Sequence, residues 1–542
     1  MTLPQLYSHV SLRSYDYVRY CRRDGRPEGC GMASPFSMGL NGLVSRNVAG
    51  YVRSFELCGE WKEHELQEYA KMGRVPDESM LLNTLVRVAV ERMGVLDSFT
   101  YAYQSPKSHH MLTMPSWRLN TKMLPTVWQG LSQKMSLRKL TVRFPSVRHP
   151  RPITLVPPIP NLEYLHMYDI DPLCYADDIS LLLLGSKKLR DLKLHWSPRM
   201  REAREPSIHK AAYFRRCVAA NYQAPLRSIA IQNLYANHDS ECGNVIDISH
   251  LRELTFLNST GGANDDGATA FMDGTWRKPD EALPPKLKMF RADKVSHQQC
   301  EFLSTITGLE KLYLIGPHSR ARNDSSKDLS TSNGTTAPPL PNSPVSSNTS
   351  SPSATDINTI TSLKSPYISA ITKNHGATLT HLLLLPQWRL TDDDIAIIVR
   401  QCPKLQQLGL GVEFASFDHL RLLVPFLANL TSIRLLGNPD DPSFVNMMRE
   451  MDEKGTHEEK IGEDTANQEW SRLRYMELGA EDLIFEIGKR EVVGEYRSEG
   501  GWGKCGGSGG GGKKSVWRRA VKKRGWEAVR DIEIWRMDSL DL

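Results

Sequence analysis

The sequence predicts an α/β fold built as a repeating array: a parallel ladder of short strands backed by helices, with disordered insertions. Three observations carry this. The phrase Leu-x-x-Leu-x-Leu recurs along the 542 residues, many copies start 22 to 27 residues apart, and helical sequence fills the gaps. The tighter copies are LRKLTV from Leu137, LEYLHM from Leu162, LRDLKL from Leu189, LRSIAI from Leu226 and LRELTF from Leu251. They continue as LEKLYL from Leu309, LTHLLL from Leu379, LQQLGL from Leu405, LTSIRL from Leu430 and LRYMEL from Leu473. Looser copies are VRSFEL from Val52, LDSFTY from Leu96, LKMFRA from Leu287 and VRDIEI from Val529.

In each phrase the last two apolar positions point to one face of a strand and their neighbours to the other. The first leucine turns the chain into that strand. One such unit cannot bury its own apolar face, but stacked copies can. Intervals of 25 (Leu137 to Leu162), 27 (Leu162 to Leu189) and 26 (Leu379 to Leu405) fall in the leucine-rich-repeat range. The fold class is therefore a leucine-rich-repeat solenoid, against an ordinary pair of α/β domains with Leu-rich strands. Intervals of 37, 70, 43 and 56 read as insertions into loops.

In chain order, residues 1–50 form an N-terminal segment leading into the repeats. Its LYSHVSL alternates like a strand already inside a fold. Residues 51–316 hold the first part of the repeats. There Leu82, Val86, Ala89 and Met93 share one helical face before the Leu96 strand, and DDISLLLLGSKK supplies a second helix. Residues 317–366 form a Ser/Thr/Pro-rich insertion too poor in apolar residues to fold alone. Ser343-Pro344 and Ser351-Pro352 within it match proline-directed phosphorylation sites, against a plain solvated loop. Residues 367–480 resume the repeats. Thr391 caps a helix, Asp392, Asp393 and Asp394 suit its positive end, Ile395, Ile398 and Val399 form its buried stripe, and Pro403 stops it. Residues 450–468 read as an acidic excursion. Residues 481–542 form an irregular C-terminal repeat with a Gly-rich loop at 498–515 and a last strand at VRDIEI. KKSVWRRAVKKRG reads as the exposed face of the helix before that strand, against a nuclear-import or phosphate-contacting patch.

Composition excludes several function classes. A net charge of +6 over this length does not argue for nucleic acid. No apolar run is long enough to span a bilayer, and no secretory leader opens the chain. Nine dispersed cysteines without a Cys-x-x-Cys pair read as reduced thiols, placing the chain in the cytoplasm, the nucleus or both. The glycines at 506–512 do not make a phosphate loop, because Gly512-Lys513 is followed by Lys514. His109-His110 has no acidic or cysteine partner at ligand spacing, and Cys402 reads as a buried structural thiol. The expectation is no enzyme, no cofactor and no metal.

What remains is binding. Residues flanking the second leucine of each phrase project from the inner strand face. They include Lys139, Arg143, Tyr164, His166, Tyr168, Lys193 and His195, and later Arg434, Tyr475 and Trp535. Tyr, Trp and Arg dominate interface hot spots. The cluster from Lys139 to His195 is aromatic and cationic, which suits an acidic or phosphorylated protein segment, against a merely solvated face.

One repeat is sharper than the others. RLTDDDIAIIVRQCPKLQQLGLG resembles the cysteine-containing leucine-rich repeat of F-box proteins, with Cys402, Pro403, Leu405, Leu408 and Leu410 matching and Gly411 departing. PQLYSHVSLRS and YVRSFELCG look like the start of fungal F-box/leucine-rich-repeat proteins, although the F-box itself is not visible. The resemblance implies a substrate receptor of a Skp–cullin–F-box ubiquitin ligase, or an F-box-deficient relative. Implied partners are a protein target on the inner strand face, and the Skp adaptor and cullin if an F-box lies upstream. Neither nucleic acid nor membrane is expected. The alternative is a repeat scaffold with no ubiquitin link.

Overall fold

A computed structural model describes residues 2–14, 35–59, 77–102, 125–144, 156–197, 208–234, 236–237, 246, 248–257, 286–316, 360–411, 426–437, 457–466, 472–479, 483–497, 513–539 and 542. They fall into two compact units, one within Met1–Lys286 and one formed by Leu287–Ser325 with Thr349–Asp541.

In the first unit, eight strands lie side by side in chain order and all parallel. They are β1 (His9–Ser14), β2 (Ser54–Gly59), β3 (Ser98–Ala102), β4 (Lys139–Arg143), β5 (Tyr164–Ile170), β6 (Asp191–Trp196), β8 (Ser228–Gln232) and β10 (Glu253–Leu257). The short β7 (Ile208–His209) and β9 (Ala236–Asn237) pair separately. Helices Pro35–Ser45, Asp77–Arg92, Pro125–Ser132 and Pro172–Gly185 fall between strands. In the second unit, β11 (Met289–Ala292), β12 (Lys311–Leu314), β13 (His381–Leu383), β14 (Gln407–Gly411), β15 (Ser432–Leu436) and β16 (Tyr475–Gly479) are parallel neighbours. β17 (Ile484–Arg497) and β18 (Lys513–Arg524) then close the sheet antiparallel. Helices His297–Thr305, Lys364–His375 and Asp392–Gln401 connect the parallel strands.

The phrase does two jobs. Its first leucine is buried in every tight copy, from Leu137 to Leu473. The residue after it offers one backbone carbonyl to two successive N–H groups of the next copy. In the first unit, Arg138 O accepts from Glu163 and Tyr164, Glu163 O from Arg190 and Asp191, and Arg190 O from Arg227 and Ser228. The second unit repeats this, with Glu310 O accepting from Thr380 and His381 and Gln406 O from Thr431 and Ser432. A loop carbonyl is thus satisfied twice just where each strand begins.

The Asp392–Gln401 helix forms as its sequence predicts. Asp394 N donates to Thr391 Oγ1 at 3.3 Å, and Thr391 N donates back to the Asp394 carboxylate at 3.1 Å. Lys364 Nζ adds a 2.9 Å bond to the same carboxylate. Ile395, Ile398 and Val399 are buried, and so is Cys402, whose thiol burial pushes up to about 12. Gly411 departs from the expected residue type for a steric reason. A Cβ there would stand 2.6 Å from Pro386 O and 2.9 Å from Trp388 O.

Four expectations are corrected. The opening run is not strand throughout, because Leu3–Tyr7 is a short helix with Pro4 in its first turn, and β1 starts only at His9. Ile360 begins helical structure inside the expected insertion, and its carbonyl accepts from Trp388 Nε1 at 2.8 Å. KKSVWRRAVKKR is strand β18 rather than helix, because pairing with β17 satisfies its backbone. VRDIEI is not a last strand. Trp526–Ala528 is a 3-10 turn and Glu533–Arg536 a single helical turn. Ser343, Ser351, His109, His110 and the glycines at 506–512 lie outside the described residues.

Candidate protein-binding face

In the first unit, β4, β5 and β6 alternate between buried and more exposed residues. Leu140, Val142, Leu165, Met167, Leu192 and Leu194 point into the core. Their neighbours form rows across the strands, because the parallel register aligns equivalent phrase positions. One row runs Lys139, Tyr164, Asp191 and the next Thr141, His166, Lys193. Arg143 and Tyr168 pair in a third.

This face is organised by local contacts. Lys139 Nζ lies 5.0 Å from the Tyr164 ring centroid, and the Arg143 guanidinium carbon lies 5.0 Å from that of Tyr168. His166 Nε2 meets Asp191 Oδ1 at 3.0 Å. His195 is held from two sides, with Nδ1 accepting from Asp169 N–H at 3.1 Å and Nε2 against the Asn233 amide at 3.1 Å. Asp169 takes φ +58°, a left-handed conformation that Asp tolerates better than most residues, and its carboxylate stands 3.7 Å from Arg143. Among the described residues Lys193 has no ion partner. The seven early candidates therefore lie together, and among the described residues Lys139 and Lys193 leave two cations without a carboxylate of their own.

The later candidates sit differently. In the second unit the equivalent rows are Lys311, His381, Gln407, Ser432, Tyr475 and Tyr313, Leu383, Gly409, Arg434, Glu477. A C-terminal strap, residues 526–539, lies against them. Its Val529, Ile534 and Trp535 are buried in one cluster with Met289, Tyr313, Leu383, Leu436 and Ile484. Arg434 is 0 % exposed. Its Nε bonds Glu477 Oε2 at 2.8 Å, its Nη1 meets Asp538 Oδ2 at 2.9 Å, and the Trp535 ring lies 5.4 Å away. Trp535 Nε1 donates to Glu477. Burial opposes charge on Arg434, but the two carboxylates raise its pKa above the usual range. Arg434 and Trp535 are therefore not open contacts, because the chain's own C-terminus occupies them. Tyr475 packs partly buried at the cluster's edge.

Further strap contacts come from Lys311 to Glu533 at 2.7 Å, Arg291 Nε to Met537 O at 2.9 Å, and Ile534 N to Gln407 Oε1 at 2.8 Å. No phrase-based reading finds this strap. The available signal was charge, since Arg434 and Glu477 stand at central positions of neighbouring strands.

Among the described residues no group of three or more His, Cys, Asp or Glu is placed to hold a metal ion. No described helix is long and apolar enough to cross a membrane. No protein-family model matches the chain, and no curated protein matches it. A similar solved structure is the crystal structure of the Rad7 and Elc1 complex in yeast, with 11% identity and a TM-score of 0.33, covering 66% of this chain and 73% of that chain.

Proposed function

We propose that this chain is a leucine-rich-repeat solenoid that binds protein rather than an enzyme, and that β4–β6 capture an acidic or phosphorylated segment of a protein target. The observation that carries this is the open row of aromatic and cationic side chains, with Lys139 and Arg143 resting on tyrosine faces and Lys193 unpaired among the described residues. Ordered, half-exposed tyrosines offer large contact area at low entropic cost. A phosphate beside Lys139 and Lys193 would gain charge-assisted hydrogen bonds. In this reading the chain works in the cytoplasm or nucleus as the substrate-recognition subunit of a Skp–cullin–F-box ligase, or as an F-box-deficient relative. That assignment rests on the Cys402-Pro403 repeat and its neighbours. A scaffold without ubiquitin chemistry is the second reading.

The test is an array of paired phosphorylated and unphosphorylated peptides probed with the full chain and with Tyr164→Ala/Tyr168→Ala/Lys193→Ala. Phosphate-dependent capture lost in the variant, at unchanged thermal stability, is the expected result. Capture indifferent to both the phosphate and the substitutions removes this face from the account. Affinity purification then separates the two readings, with the Skp adaptor and cullin recovered only in the first.

A further inference from the structure

The strap of the second unit has features of a bound ligand. Between Gly525 and Asp538 it adds no strand to the ladder. Its hold is through side chains and a few backbone polar groups presented to Gln407, Arg434 and Arg291. It departs from β18 through Gly525, around which a side chain would meet open space. Among the described residues no strand of the ladder follows it, so lifting it tears no repeat apart.

Three further observations concern the surface beneath. The Arg434–Glu477 pair lies wholly within the ladder, between β15 and β16, so it survives departure of the strap. Arg291, Lys311 and Arg434 would then face the vacated surface, opposed in those rows by Glu477. Such a surface favours an acidic occupant. The present occupant also fits imperfectly. His381 Nδ1 is buried without a hydrogen-bond partner among the described residues, and the nearby Glu533 carboxylate stands 3.9 Å from it.

We infer that the strap-covered face of the second unit is a peptide-recognition surface, occupied here in cis, that accepts in trans an acidic segment with the spacing Glu-Ile-Trp-x-x-Asp. In the strap these positions are Glu533, Ile534, Trp535 and Asp538. Tryptophan fills the pocket over Arg434, the preceding apolar residue covers Leu383 and Gly409, and the two carboxylates pair with Lys311 and Arg434. This surface is separate from β4–β6, and neither proposal depends on the other.

The test uses the full chain carrying Trp535→Ala/Asp538→Ala, which loosens the strap without removing it. The probe is a fluorescein-labelled synthetic peptide of residues 526–542. The variant should bind it at least ten-fold more tightly than the unsubstituted chain, whose surface is filled. The same peptide bearing both substitutions should fail to bind. Three results would overturn the inference: equal binding by both chains, no binding by a variant that keeps its cooperative melt, or loss of that melt. The last would make the strap inseparable core.

Discussion

Lys193 and Arg434 occupy the same position of the same phrase, one in LRDLKL and the other in LTSIRL. At Lys193 in the first unit that position is half-buried, and among the described residues the lysine has no ion partner. In the second it is sealed, and the arginine is held by two carboxylates beside a tryptophan ring. Strands β4–β6 alternate in burial, whereas β11, β13 and β15 are buried on both faces. The local code is the same, so what seals Arg434 is a remote segment. A phrase position says where a side chain points and nothing of what meets it there.

The sharpest way to break the comparison is to substitute both residues. Arg434→Ala leaves Glu477 and Asp538 as buried carboxylates without their cation, and the expected cost is about 3–5 kcal/mol. Lys193→Ala at the equivalent place should stay within about 0.5 kcal/mol. Urea unfolding of both variants reads this, and equal costs would erase the distinction between the two faces.

Acid should sharpen it next. Burial pushes His375 and His381 of the second unit down from 6.5 to about 4. His375 Nδ1 accepts from Leu309 N–H at 3.3 Å and Nε2 lies 3.0 Å from Leu303 O, so protonation breaks an acceptor role. Between those two pKa values the unfolded chain binds more protons than the folded one. The stabilisation is therefore full above about pH 6.5 and falls away toward about pH 4. On lowering pH from about 7.5 to about 5, His375 alone should cost on the order of 2 kcal/mol. His375→Gln should flatten that dependence in urea melts recorded across the range.

The smallest expected loss of stability beyond that neutral lysine control lies on the helical side. Thr391→Ala removes the acceptor for Asp394 N and should cost about 1 kcal/mol in the same urea melts. It should leave peptide capture by either face unchanged, and a change there would mean that the helices and the faces are coupled.

What could be read in the sequence follows the same divide. The first leucine of each phrase, the strands after it and the capped helix from Asp392 depend on contacts within a repeat or between neighbours. Those contacts impose a period that the residues display. The grouping of Lys139 with Tyr164 and of Arg143 with Tyr168 followed from register alone. The strap did not. Val529, Ile532 and Ile534 present apolar residues at intervals that suit a strand as well as a docked turn, and only the surface they meet decides between them. SVWRRAVKKR likewise fits helix or strand, and β17 is what selects strand. Burial of Arg434 was illegible because its partner Asp538 lies about a hundred residues further on.

The shared carbonyl at the start of each strand has a consequence for how such chains change over time. Because Glu310 O holds Thr380 and His381 directly, the stretch between two phrases need only return to that point. The interval from Leu309 to Leu379 is 70 residues, against 26 from Leu379 to Leu405. Closing a chain of the greater length costs only about 1 kcal/mol more. Pitch is thereby uncoupled from contour length. A gene of this kind can gain or lose tens of codons between phrases without disturbing the strand spacing, so insertions mark where variation is cheap.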